Sequence, residues 1–471
     1  EVLKNVASVK SHPLMARFPK ARVITSTFEN VSAVWADEAQ LPVVTQELAD
    51  TWIWGTGSDP VKVAQMRAMH RLRTACEDAH EPRCVFSDPA YFNFSRQIQK
   101  NLEHTWGVSV THYGNLQNSN WTNAEFHADL EEKNTDLEYM VQSWIEQRNY
   151  GVNFPLEALK AKAHPLAAKI DAEFAAMKPK VPSMPPAGMK PVPVTGGILT
   201  GLGGWADVGF DSKTGAITHL ARSKASVDDG TGSSSSSSKA SIAGPNNPLL
   251  LVRYQVLVES DFDAWRSEYI LPGAGGFNEY GKPEGFMTGA DGKPIQGCLA
   301  AGTLTDAFVA DDKTSLLLGL RFDEKLHTEF GAPSSAWMQV NFNPEQAGEV
   351  TASLTLVNKT ATRLPESAWV TNTPIGSAEG NWSMDKLGGA VSPLDVAVGA
   401  SRGLHNILTG VNFTKAGDTV FFGSSDAGVV RWDTPLPFPT PLHRQPDLSF
   451  GQSWMLFNNV RLSLSLSLSL S

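Results

Sequence analysis

The chain has 471 residues, of which 41% are hydrophobic and 19% charged, and carries a formal net charge of −10. This length allows two to four domains, so core size is not limiting. The acidic balance, without any Lys/Arg cluster, argues against a nucleic-acid-binding surface, and no apolar run is long enough to span a bilayer. Cys76, Cys84 and Cys298 are odd in number and lack ligand-like spacing, so neither a disulfide framework nor a zinc finger is expected. Sequons at Asn30, Asn93, Asn120, Asn358, Asn381 and Asn412 suggest a secretory or extracellular route.

Residues 1–57 read as the end of a domain. Ala21–Thr27 and Leu41–Thr45 are strand-like and Val31–Glu38 is a predicted helix, so together they form one βαβ step of a parallel sheet or barrel. The stretch Leu41–Pro60 is the densest in signals. A β-branched run bounded by Pro42 reads as a buried strand. Glu47 and Asp50 follow beside Trp52 and Trp54, and Ser58 or Asp59 with Pro60 marks a helix start. Acids and aromatics between a strand end and a helix are where open α/β proteins and barrels place their chemistry. The same residues also suit plain capping and packing.

Residues 58–178 switch to a helical period. Val61, Ala64, Ala68 and Leu72 share one face of a first helix. A second opens at Ser87-Asp88-Pro89 and carries Tyr91, Phe94, Ile98, Leu102 and Trp106. A third starts at the capping-box pattern Thr122-x-x-Glu125 and continues through Trp144. Leu156–Met177 adds helix broken at Pro165. A bundle of three or four antiparallel helices is expected. Residues 179–193 are a proline-rich linker or extended arm. From 194 to 460 the period is two, as in Val252, Tyr254, Val256 and Val258, and again in Met338, Val340 and Phe342 and in Val350, Ala352, Leu354 and Leu356. A large antiparallel β-sandwich is the expectation, interrupted at 223–247 by a disordered serine-rich insertion. Residues 461–471, a Leu-Ser repeat, are read as translated simple-repeat DNA, and the start at Glu1 as an N-terminal truncation.

Candidate chemistry is sparse. His127-Ala128-Asp129 lies mid-helix, where positions two apart diverge, so a solvated face outweighs a metal pair. Gly196–Gly204 lacks the lysine of a phosphate loop and precedes a β region. No Gly-x-Ser-x-Gly elbow is present. By elimination the informative acids are Glu47 and Asp50.

The order of domains resembles glycoside hydrolase family 38, the α-mannosidases. More closely, the chain resembles the uncharacterised α-mannosidase-like proteins gathered under domain of unknown function 5054. The resemblance rests on Leu41–Thr45, Asp50–Ile53, Ser58–Ala64, Asn358–Trp369, Met384–Gly388, Ser392–Val396 and Phe457–Asn459, and spans residues 15–460. It implies a multidomain α+β protein: the end of a (β/α) barrel, a three- or four-helix bundle and a large antiparallel β-sandwich. It also implies a zinc-dependent retaining hydrolase acting on a carbohydrate substrate. The family's His-x-Asp and nucleophilic Asp have no counterpart here, so the chain is expected to be inactive as it stands. The position of the family's late histidine reads Asp50-Thr51-Trp52. Asp50 is therefore the candidate metal ligand or sugar-binding acid, and Trp52 and Trp54 are candidate stacking rings. The alternative is a non-catalytic carbohydrate-binding or scaffolding relative.

Overall fold

The computed structural model describes residues 7–8, 11–20, 22, 26–38, 43–49, 53–99, 122–223, 240–269, 287 and 293–459. They divide into two compact units, Glu1–Gln46 and Glu47–Ser471. The first holds a 3-10 turn, Pro13–Arg17, and helix α1, Phe28–Glu38.

The helix of the expected βαβ step is thus present, but the described residues of its two predicted strands form no strand. Val43 and Val44 are exposed and in no strand, with Val43 89% accessible. Arg22, Ser26 and Thr27 are likewise in no strand, and most of Ala21–Thr27 lies outside the described residues. A β-branched run becomes a strand only where a partner satisfies its backbone groups. The nearest thing to a parallel partner is a single bridge, Glu47 to Val396. No (β/α) barrel forms among the described residues.

Proline and acid cues place the helices of the second unit. Helix α2, Pro60–Asp78, is capped by Asp59, whose side chain accepts from Lys62 N. Helix α3, Pro89–Gln97, is capped by Asp88, which accepts from Ala90 N and Tyr91 N. The predicted continuation to Leu102 and Trp106 lies outside the described residues. The predicted third helix is two, α4, Asn123–Glu131, and α5, Thr135–Arg148, with Asn134 capping the second. A π turn, Asn149–Asn153, leads into α6, Phe154–Lys160, and α7, Pro165–Ala176 follows the expected break.

These helices are not the expected antiparallel bundle. Met69, Tyr91, Phe94, Leu159 and Ile170, from α2, α3, α6 and α7, share one small core, which the buried side chains of α4 and α5 do not join. Asn123 at the start of α4 instead binds the β region: its Oδ1 accepts from Thr362 Oγ1 at 2.6 Å and Arg363 N at 3.0 Å. Cys76 and Cys84 form a disulfide closing the turn after α2, Cα to Cα 6.0 Å. The sequence reading missed it because an odd cysteine count carries no pairing.

The expected single sandwich is also overturned: among the described residues the strands form four antiparallel sheets. One has the order β1 (Met189–Pro191), β7 (Thr303–Ala310), β8 (Ser315–Arg321), β9 (Ser335–Phe342) and β10 (Val350–Val357). A six-stranded sheet runs β14 (Leu404–Asn406), β17 (Val429–Trp432), β18 (Gln452–Asn458), β11 (Glu366–Asn372), β5 (Leu251–Val256) and β6 (Cys298–Ala301). A four-stranded sheet runs β13 (Gly389–Val391), β12 (Asn381–Lys386), β15 (Gly410–Lys415) and β16 (Asp418–Gly423), and β2 (Ile198–Leu202), β3 (Ala206–Phe210) and β4 (Ile217–Arg222) make the fourth. Alternation had located strands but not their grouping, since β11 pairs with β5 and β18, both far away in sequence.

The largest core draws on the three-, five- and six-stranded sheets, with Tyr254, Met338, Val340, Phe342 and Trp369 buried. A second, around Trp382, Phe413, Trp432 and Trp454, joins the four- and six-stranded sheets. Two short helices, α8 (Glu259–Tyr269) and α9 (Glu324–Phe330), lie in the β region. The proline-rich arm is partly regular, because β1 pairs with β7. Of the serine-rich insertion, Ser241–Asn247 is ordered, with Ala243 buried and Gly244 bridged to Asn247. Residues 224–239 and the Leu-Ser tail lie outside the described residues.

Candidate functional site

The segment from Glu47 to Asp59 reaches the sheets at two points. At the first, Glu47 N donates to Asp395 O at 3.1 Å and its carbonyl accepts from Ala397 N at 2.9 Å. Its half-buried carboxylate accepts from Lys386 Nζ at 2.8 Å. Three stretches prominent in the sequence, around residues 47, 386 and 395, therefore meet. Asp50 and Trp52 lie outside the described residues.

At the second point a 3-10 turn, Ile53–Ser58, sinks into the core. Trp54 is 1% exposed and packs edge-on against Trp265, ring centroids 5.8 Å apart. Its carbonyl accepts from Asn458 Nδ2 at 2.7 Å. The ring is thus placed among core side chains rather than on a surface where a pyranose could lie. Asp59 caps α2 and also receives Arg148, from Nε at 2.5 Å and Nη2 at 3.0 Å.

Close by in the chain's connectivity, Asn459 ties the end of β18 to the segment before β11. Its N–H donates to Glu366 O at 2.8 Å and its Nδ2 to Thr362 O at 2.6 Å. Glu366 is buried between Lys359, whose Nζ lies 2.9 Å from Oε1, and the Tyr254 hydroxyl, which donates to Oε2. Burial, reinforced by the Glu366 charge, holds the Tyr254 phenol well above its usual pKa. A carboxylate so enclosed is a lock between strands, not a group that meets a ligand.

An open cleft of 2860 Å³ runs along Glu47, α2, the proline-rich arm and the β8–β10 part of the five-stranded sheet. His70 faces it, and burial, with Arg73 and Arg67 nearby, lowers its pKa and favours neutral imidazole. Arg67 is committed to structure, since its guanidinium donates to the carbonyls of Ile407, Leu408, Ser424 and Ser425. Trp337 on β9 lies against Gly319 of β8: a Cβ there would stand 2.8 Å from Trp337 Cζ3. Only glycine leaves room for that ring. Gln339 and Asn341 follow Trp337 on the same face of β9. Thr355, Ser353 and Thr351 oppose these three residues across β10. A half-buried indole beside amides and hydroxyls offers an apolar plane with a hydrogen-bonding rim. No sequence signal marked it, because one Trp in an alternating strand looks like any core residue.

Among the described residues no three His, Cys, Asp or Glu side chains stand together as metal ligands. His127 and Asp129 each sit on the short helix α4 and make no such group. The zinc cage implied by the resemblance therefore has no fit among these residues, and Asp50, its one candidate ligand, lies outside them. No described helix is long and apolar enough to cross a membrane.

A family model described as Domain of unknown function (DUF5054) matches residues 56–351. Of the segments that carried the resemblance, only Ser58–Ala64 falls inside that range. No curated protein and no solved structure matches the chain.

Proposed function

The chain belongs to the family of the domain of unknown function DUF5054, and from that premise we propose that it is a carbohydrate-binding relative of the α-mannosidases. The observation that supports this reading is the Trp337 platform within the cleft. Sugars present apolar C–H faces and hydroxyl edges, so they suit an aromatic plane bordered by amide and hydroxyl side chains. The Glu47–Lys386 pair, lining the same cleft, adds a charged hydrogen-bonding group for sugar hydroxyls.

The test is binding of α-mannosyl oligosaccharides to the full chain, measured by calorimetry or affinity electrophoresis. Trp337→Ala should weaken binding at least about tenfold, consistent with the loss of about 1.4 kcal/mol or more. Unchanged affinity in a folded variant would remove the platform from the reading. A parallel assay with an aryl α-mannoside and added zinc asks about hydrolysis. We expect none, and turnover abolished by Asp50→Asn would replace binding by catalysis as the function.

A further inference from the structure

We propose that the outer face of the four-stranded sheet is N-glycosylated at Asn381 and Asn412. The sequons Asn381-Trp382-Ser383 and Asn412-Phe413-Thr414 lie on adjacent antiparallel strands in exact cross-strand register. Asn381 opposes Thr414 and Ser383 opposes Asn412, while Trp382 opposes Phe413. Alternation sends the two middle residues inward, where both are buried with ring centroids 4.7 Å apart. It sends both asparagines and both hydroxyl residues to the outer face, Asn381 exposed and Asn412 half-buried. Neither asparagine amide makes a hydrogen bond among the described residues. A glycan on either nitrogen would extend into solvent without disturbing the Trp382–Phe413 core.

The same face carries Phe421, directly opposite Asn412 and 56% exposed. Its ring lies over Gly410 and Gly423, where a Cβ would come within 2.5 Å and 2.8 Å of it. An exposed ring close against two glycines beside Asn412 is a surface for the first sugar attached there. Asn93-Phe94-Ser95 also has a buried middle aromatic and a half-buried asparagine, but differs in its element and its hydroxyl residue. It lies on α3, Ser95 is buried, and its hydroxyl accepts from Arg73 Nε at 3.1 Å.

The disulfide between Cys76 and Cys84 is an independent sign of the compartment. Such bonds form and persist where thiols are oxidised, as in the lumen where N-glycans are added. The asparagine Nδ2 forms a bond to C1 of the first sugar of a polyprenyl-diphosphate oligosaccharide. The C1–O bond to phosphate breaks, the lipid diphosphate leaves with the electron pair, and one amide proton passes to the transferase's base.

The experiment uses the full chain isolated from the cells that make it, with two readings on one sample. Differential alkylation reports Cys76 and Cys84. Release of N-glycans by an amidase in heavy-oxygen water, followed by peptide mapping, reports each asparagine as labelled aspartate. The expected result is Cys76 and Cys84 alkylated only after reduction, with label at both 381 and 412. An unmodified Asn381 or Asn412, or Cys76 and Cys84 found as free thiols, overturns the proposal. Neither reading depends on sugar binding in the cleft, so its outcome is separate from that of the Trp337 test.

Discussion

Glu366 is held by Lys359 on one oxygen and Tyr254 on the other, with 1% of its side chain exposed. Removing one member of such a pair leaves the other charge buried without its partner, which costs about 3–5 kcal/mol. Glu366→Ala should therefore lower the urea-unfolding free energy by that amount. The double variant Lys359→Met/Glu366→Gln should lose much less, since no charge is stranded. A loss below about 1 kcal/mol in the single variant would mean that the pair does not hold these strands. His405 is another residue whose cost is set by its surroundings. Its Nε2 lies 2.9 Å from Arg402 O, and its ring meets Trp432 edge-on. Burial first, then the charge of Lys386, pushes its pKa down to about 3. Above the unfolded value near 6.5 both states are neutral and pH has no effect through this group. Below it the unfolded chain takes up a proton that the folded chain refuses. Stability should then fall by about 1.4 kcal/mol per pH unit until pH nears 3. Denaturant titrations between pH 7 and 4 would show this slope reduced in His405→Asn, and an unchanged slope would remove His405 as its source.

At the scale of the element, the 3-10 turn Ile53–Ser58 is the joint between the helices and the six-stranded sheet. Gly57 sits so close to β18 that a Cβ would stand 2.5 Å from Asn458 Nδ2 and 2.7 Å from Met455 Cε. Gly57→Ala should force the turn away from β18 and cost about 1–3 kcal/mol, as overpacking does. Thermal unfolding checks it, and an unchanged or raised midpoint would show that Met455 swings aside freely. Helix starts were legible because caps are local: Asp59-Pro60, Asp88-Pro89 and the Thr122–Glu125 box each satisfy N–H groups within three residues. In that box Glu125 N donates to Thr122 Oγ1 at 3.3 Å, as the pattern requires. The end of a helix was less legible. The break between α4 and α5 at Lys133 and Asn134 depends on a positive φ at Lys133, which no turn residue announced.

At the scale of the whole molecule, three cores hold the described part of the second unit: two stay within the predicted segments 58–178 and 194–460, and the largest crosses between segments. The largest joins Ile53 and Trp54 to Met338, Trp369 and Met455, residues hundreds of positions apart. Amphipathic period and alternation were enough to place helices at 58–178 and strands beyond 194, because both depend only on which neighbours along the chain are apolar. The sequence also marked Glu47, as an acid after a strand-like run, and the stretches around Lys386 and Asn458, through the family resemblance alone. Which of these meet was decided by tertiary structure alone. Backbone groups choose strand partners by long-range pairing, so alternation suited one sandwich as well as the four sheets that form. Val43 and Val44 had strand propensity but no partner edge, and they stay exposed. The Cys76–Cys84 bond, the Trp337 platform over Gly319 and the facing sequons of β12 and β15 all arise from distances between elements, which no local pattern carries.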